Sequence, residues 1–196
     1  MKEQNLILDI GIGRGGWYLT DRKDIIRVGY DVEKEDIIMC RNTFGIDNLH
    51  LIIGDAFVAG EGKSIQFLPF KDATFREIHT YFPYALFIAL TDSSCTLWHE
   101  FSRILKDDGS IKILYDTVWG QKRIQTKEKT VIIRRPLRRL REAGSNAGFK
   151  FSHTTIFPLD ADVFLRSEFS EKVLSNSIRR PGAVEVYRVT AQKTRN

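Results

Sequence analysis

Leu6-Ile7-Leu8-Asp9-Ile10-Gly11-Ile12-Gly13-Arg14-Gly15-Gly16-Trp17 decides the reading of this chain. A short apolar run climbs to Asp9 and then breaks into four glycines within six residues. Such a run, bounded by glycine, reads as a buried parallel strand entering a tight turn. Gly11, Gly13 and Gly15 carry no Cβ, so the backbone there can adopt positive φ and approach a ligand closely. A helix starting near Gly15 or Gly16 would aim its N-terminal amides at that ligand. The stretch therefore reads as a nucleotide-type cofactor loop.

Working outward, the 196 residues suit one domain with a substantial core. Hydrophobic residues at 42% and charged residues at 28% are ordinary for a globular chain, which argues against a disordered or fibrous one. The two cysteines, Cys40 and Cys95, are far apart and lack metal-ligand spacing, so free thiols in a reducing cytoplasm are expected and no metal site is. No apolar run is long enough to span a membrane, and Met1 to Asn5 does not read as a signal peptide. Residues 1–119 carry 13 Lys+Arg against 18 Asp+Glu, a net −5, whereas residues 120–196 carry 17 against 7, a net +10. A basic excess confined to the C-terminal part points to a polyanionic partner such as nucleic acid.

The glycine spacing fits two templates. Gly11-x-Gly13-x-x-Gly16 is a dinucleotide fingerprint. Asp9-x-Gly11-x-Gly13-x-Gly15 resembles motif I of the class I S-adenosylmethionine-dependent methyltransferases. In that family the acid two places before the first glycine holds the methionine ammonium of the donor. A carboxylate beside a pyrophosphate would repel it, so Asp9 favours the methyl donor. The segment Asp24 to Asp31 reads as a second strand ending in an acid, 22 residues after Asp9. An acid there is placed to grip a ribose. Val32 to Phe44 reads as a helix with Ile37, Ile38, Arg41 and Phe44 at helical intervals, and Leu49 to Ala56 as a third strand on which His50 packs. By the resemblance, Asp55 or Gln66 contacts the adenine, with residues 57–66 as a loop between them.

Ile78, Thr80 and Phe82 alternate in a fourth strand. Phe82-Pro83-Tyr84 follows where the family places motif IV, and it is similar to the segment in 16S ribosomal RNA adenine and tRNA guanine-N7 methyltransferases. The resemblance implies that Phe82 contacts the donor, that the Pro83 carbonyl orients the acceptor nitrogen, and that Tyr84 stacks on a flipped base. Trp98, Phe101, Ile104 and Leu105 mark a helix capped by Asp92 or Ser93, followed by a turn at Asp107 to Ser110 and a fifth strand, Ile111 to Asp116. Pro136 opens a helix with Leu137, Leu140 and Ala143 on one side and Arg134, Arg138 and Arg141 on another, where an arginine stripe would meet phosphates. Residues 117–135 and 158–182 read as substrate-side insertions. Phe169 opposite Tyr84, and the pair Arg179-Arg180 as a phosphate clamp, resemble the ribosomal enzymes. Two last strands, Lys150 to Phe157 and Val184 to Ala191, suit the antiparallel hairpin that ends the family's sheet, where a dinucleotide sheet would end in a parallel strand.

The expectation is a single α/β domain over residues 1–196, a Rossmann-like seven-stranded class I methyltransferase sheet with a C-terminal antiparallel hairpin. What the resemblance implies is a cytoplasmic enzyme that transfers a methyl group from S-adenosyl-L-methionine to a base nitrogen of structured RNA, rRNA or tRNA. It would act alone, as a homodimer or with a protein partner. A small-molecule or protein acceptor, or an RNA-binding subunit without catalysis, stands as the alternative. No general base is evident; His79, Asp116 and His153 have no motif behind them.

Overall fold

The computed structural model describes residues 5–13, 25–44, 47–56, 68–81, 86, 89–91, 94, 96–116, 122–125, 130–133, 135–157 and 186–194. Four strands run parallel: β1 (Asn5–Ile10), β2 (Ile25–Asp31), β3 (Leu49–Ile53) and β4 (Phe75–Tyr81). β5 (Leu105–Asp116) continues the parallel set beside β4. β8 (Phe149–Phe157) and β9 (Val186–Lys193) complete the sheet, with β9 antiparallel between β5 and β8. The order is β3-β2-β1-β4-β5-β9-β8, the expected seven strands with the expected terminal hairpin.

Strand alternation places a row of apolar side chains on one face. Val28, Leu8, Ile78, Ile111 and Ala191 stand in register across five strands, and all are buried. Two helices contribute to the core they form: α2 (Thr96–Ile104) and α3 (Arg135–Asn146). From α2, Leu97, Trp98, Phe101 and Ile104 are fully buried, recurring at the spacing of one helical stripe. The Trp98 indole packs against Phe101, Phe149 and Phe151, and its N–H donates to the Leu90 carbonyl at 2.8 Å. From α3, Leu140 and Ala143 face inward while Arg138, Arg139 and Arg141 are exposed, as the sequence spacing predicts.

Several boundaries differ from the sequence expectation. α1 (Lys34–Phe44) starts two residues later than expected; it buries Ile37 and Cys40 beside Ile12, Leu49 and Leu51, and Ile38 and Arg41 are exposed. The third strand stops at Ile53, and His50 is exposed on this edge strand instead of packed. Leu105 belongs to β5, not to the helix before it. Asp107 to Ser110 is an irregularity within β5, because its register jumps from Phe75↔Leu105 to Glu77↔Ser110. Residues 117–135 contain a small antiparallel hairpin of β6 (Lys122–Gln125) and β7 (Thr130–Ile133), a separate two-stranded sheet. Its Val131-Ile132-Ile133 run supplies most of β7.

Candidate functional site

Parallel strands bring Ile10, Asp31 and Ile53 to one edge of the sheet, and open α/β sheets bind ligands at this carboxyl edge. The glycine loop leaves β1 there. Gly11 and Gly13 have φ of +73° and +57°, a region costly for other residues. A Cβ at either position would meet nothing within 4 Å, so the loop presents open space where a ligand can approach the backbone.

The acids expected to bind the donor are placed differently from one another. Asp31, half-buried at the end of β2, takes the Gly13 amide N–H on Oδ2 at 2.7 Å and the Glu33 N–H on Oδ1 at 3.0 Å. The Gly11 N–H donates to the Tyr30 carbonyl at 2.8 Å. These bonds tie the glycine loop to the second strand end, and each Asp31 oxygen retains a lone pair for a further donor. Asp55 lies half-buried beyond the third strand, where the Gly54 N–H donates to the Asp31 carbonyl at 2.8 Å. The Tyr30 hydroxyl donates to the Asp55 carbonyl at 3.3 Å. Burial, followed by the nearby Asp55 charge, raises the Tyr30 phenol above its ordinary range, so it stays a donor.

Asp9 is fully buried. Its Oδ2 meets Arg27 Nη1 at 3.3 Å, and its Oδ1 lies 3.3 Å from His79 Nδ1. His79 is itself buried, with Nε2 at 2.8 Å from Glu77 Oε2, and Lys112 Nζ donates to the same Glu77 oxygen at 2.7 Å. The hydrogen bond from His79, and then that from Lys112, hold the Glu77 carboxyl down at about 2 against the opposing effect of burial. Five charged or ionisable side chains thus cross β2, β1, β4 and β5 directly behind the glycine loop. Asp9, His79 and Lys112 occupy successive register positions, and Arg27 and Glu77 both stand opposite Ile7. Sequence reading singles out Asp9 and passes over Arg27, His79, Glu77 and Lys112. The available signal was the pattern Glu77-x-His79 flanking Ile78 in the fourth strand.

A second tether holds the chain that re-enters at Leu68. Buried Glu100 accepts the Leu68 N–H at 2.7 Å and pairs with Arg103. Arg103 also donates to the Phe70 and Leu68 carbonyls at 2.8 and 3.1 Å and to Asp72 at 2.6 Å. These contacts fix the Leu68-Pro69-Phe70 segment to α2.

Gly15, Gln66, Phe82, Pro83, Tyr84, Phe169, Arg179 and Arg180 lie outside the described residues. Arg138 is exposed on α3 and pairs with Glu142 at 3.2 Å. Among the described residues, no three His, Cys, Asp or Glu side chains gather to hold a metal ion, and no helix is long and apolar enough to cross a membrane.

No protein-family model and no curated protein sequence matches the chain. Solved structures do. The 16S rRNA methyltransferase KamB aligns over 98% of this chain and 89% of its own, with a TM-score of 0.65 and 16% identity. A SAM-dependent methyltransferase from Methanosarcina mazei aligns over 100% and 95%, with a TM-score of 0.61 and 14% identity. The [4+2]-cyclase SpnF aligns over 98% and 76%, with a TM-score of 0.57 and 13% identity. The same scaffold therefore serves more than one chemistry, and at these identities the likeness speaks for architecture alone. With its strand order, its terminal hairpin and its glycine loop at the carboxyl edge, this chain has the class I methyltransferase fold.

Proposed function

We propose that this protein is an S-adenosyl-L-methionine-dependent methyltransferase whose acceptor is a base nitrogen in structured RNA. The observation that carries the donor half is the joined Gly13–Asp31 element. An open glycine turn and a half-buried carboxylate meet at one strand edge, the arrangement needed to hold a nucleoside beside an amino-acid moiety. In this reading Asp9, Gly11, Gly13 and Gly15 hold the methionine end, Asp31 the ribose, and Asp55, Gln66 and Phe82 the region of the adenine. When bound, the donor supplies an electrophilic methyl group on a sulfonium. The chain's own residues then bind and orient the acceptor in line and exclude water, which is mostly positioning work. Pro83 would orient the nitrogen, with Tyr84 and Phe169 stacking on the base.

The RNA half rests on charge and topology. Val186 pairs with Asp116 on one side and Phe157 on the other at the carboxyl edge. β5 and β8 therefore end, and β9 begins, at this edge, so the chain segments that follow β5 and β8 start here. These insertions belong to the +10 part of the sequence and include Arg179 and Arg180. Basic segments attached at the sheet edge that carries the donor site favour a polyanion over a small neutral acceptor.

Incubation with labelled donor and total RNA, followed by mass-spectrometric mapping of modified nucleotides, tests the proposal. A single methylated base is the expected result. Donor turnover on small molecules or proteins with unmodified RNA would reassign the acceptor. Donor binding without turnover on any of them would leave an RNA-binding subunit.

A further inference from the structure

The row Arg27–Asp9–His79–Glu77–Lys112 sets a histidine between two carboxylates, each paired on its far side with a cation. His79 faces Asp9 from β1 and Glu77 from its own strand; Arg27 on β2 meets the far side of Asp9, and Lys112 on β5 meets the far side of Glu77. Only a doubly protonated imidazole turns an N–H toward both carboxylates; either neutral tautomer turns a nitrogen lone pair toward one of them. With His79 protonated, three positive groups face two negative ones. Asp9 Oδ1 faces His79 Nδ1 at 3.3 Å, an ion-pair contact short of a hydrogen bond, so this buried oxygen can still accept from a new donor.

We propose that His79 is a proton-bearing positioning residue of the donor site: its imidazolium holds Asp9 against Glu77 until a ligand ammonium reaches Asp9 Oδ1, and the Nδ1 proton is then released to solvent. The inference rests on the donor reading above. A fourth positive group beside the buried Asp9–His79 contact is disfavoured at its low dielectric. Loss of the Nδ1 proton restores the earlier balance and converts Nδ1 from donor to acceptor. Nε2–H stays on Glu77, which remains ionised because its carboxyl sits at about 2. No covalent bond changes; one proton passes from imidazolium to buffer for each ammonium bound.

Titration calorimetry with S-adenosylmethionine in phosphate and in Bis-Tris at the same pH reads this proton directly. The expected result is an apparent enthalpy that follows the buffer's ionisation heat, with about one proton released per ligand bound. His79→Gln should bind with no buffer dependence, and 5′-methylthioadenosine, which lacks the ammonium, should show none with the unaltered protein. Equal enthalpies in both buffers, or unchanged proton release in His79→Gln, would overturn the proposal. Absence of any heat in either buffer would instead overturn the donor reading and this inference with it. Because His79→Gln removes a buried partner, nitrogen-15 NMR of a chain whose only histidine is His79 gives a second readout. Nδ1 should move from a protonated to an unprotonated shift on adding S-adenosylmethionine, and an unmoved signal would refute the mechanism.

Discussion

Two neighbouring register rows of the same sheet do opposite work. Val28–Leu8–Ile78–Ile111–Ala191 is apolar and sealed, and packs into the core that α2 and α3 help to build. Gly29–Asp9–His79–Lys112–Thr190, one residue further along each parallel strand, points to the other face and carries charge. The strand period of two makes this separation automatic. The apolar row holds the sheet together whatever binds, whereas the charged row sets the potential behind the glycine loop. A buried ion-pair row is a weak source of net stability and a strong source of cost when one member is removed.

The sharpest way to break the apolar side is Trp98→Ala. Trp98 is fully buried against three aromatic rings and donates to the Leu90 carbonyl, so its removal should cost about 4 kcal/mol in denaturant unfolding, with donor affinity per folded molecule unchanged. Asp9→Asn should come next. It leaves Arg27 and His79 facing a neutral amide in a buried site, costing about 3 kcal/mol, and unlike Trp98→Ala it should also weaken donor binding measured by calorimetry.

Acid sharpens the comparison further. The Glu77 carboxyl lies at about 2, below its ordinary 4.5, so its contribution is fully present above about pH 4.5 and is lost as pH falls through about 2. Roughly 2–3 kcal/mol should disappear across that window in acid titrations of unfolding, and Glu77→Gln should flatten it while substitutions in the apolar row should not. The smallest stability effect belongs to Arg138→Ala. Its pair with Glu142 is exposed on both sides, so unfolding should shift by less than about 0.5 kcal/mol. On the proposed RNA reading, RNA affinity should nevertheless fall, with the slope of log affinity against log salt reduced by about one. An unchanged slope would argue against Arg138 as an RNA contact.

Much of this was legible in the chain. The apolar runs ending at Asp9, Asp31 and Asp55 marked strands whose acids reach one edge, and Trp98, Phe101 and Ile104 marked a helix by spacing. Boundaries were less legible. Ile38 fits the helical period as well as Ile37 does, and only contact with Ile12 and Leu51 chose which turned inward. His50 reads as packed because its neighbours are apolar, but β3 is the sheet edge and leaves it exposed. Asp107 to Ser110 has turn chemistry, and the sheet absorbs it as a shift in pairing because Phe75 and Glu77 continue to find partners on either side.

The sequence by itself determined the open glycine turn and the acids at the strand ends, because backbone freedom and strand alternation are local properties. It also determined the basic character of the insertions. Only the tertiary structure decided what lies behind that turn. Asp9, Arg27, His79 and Lys112 come from four strands, and nothing local to any one of them specifies the others. Their meeting follows from which strands are neighbours and in what register, set by burial of the apolar row on the opposite face. One residue of slip would turn the charges into the core, so the apolar face that excludes water also aligns the charged one.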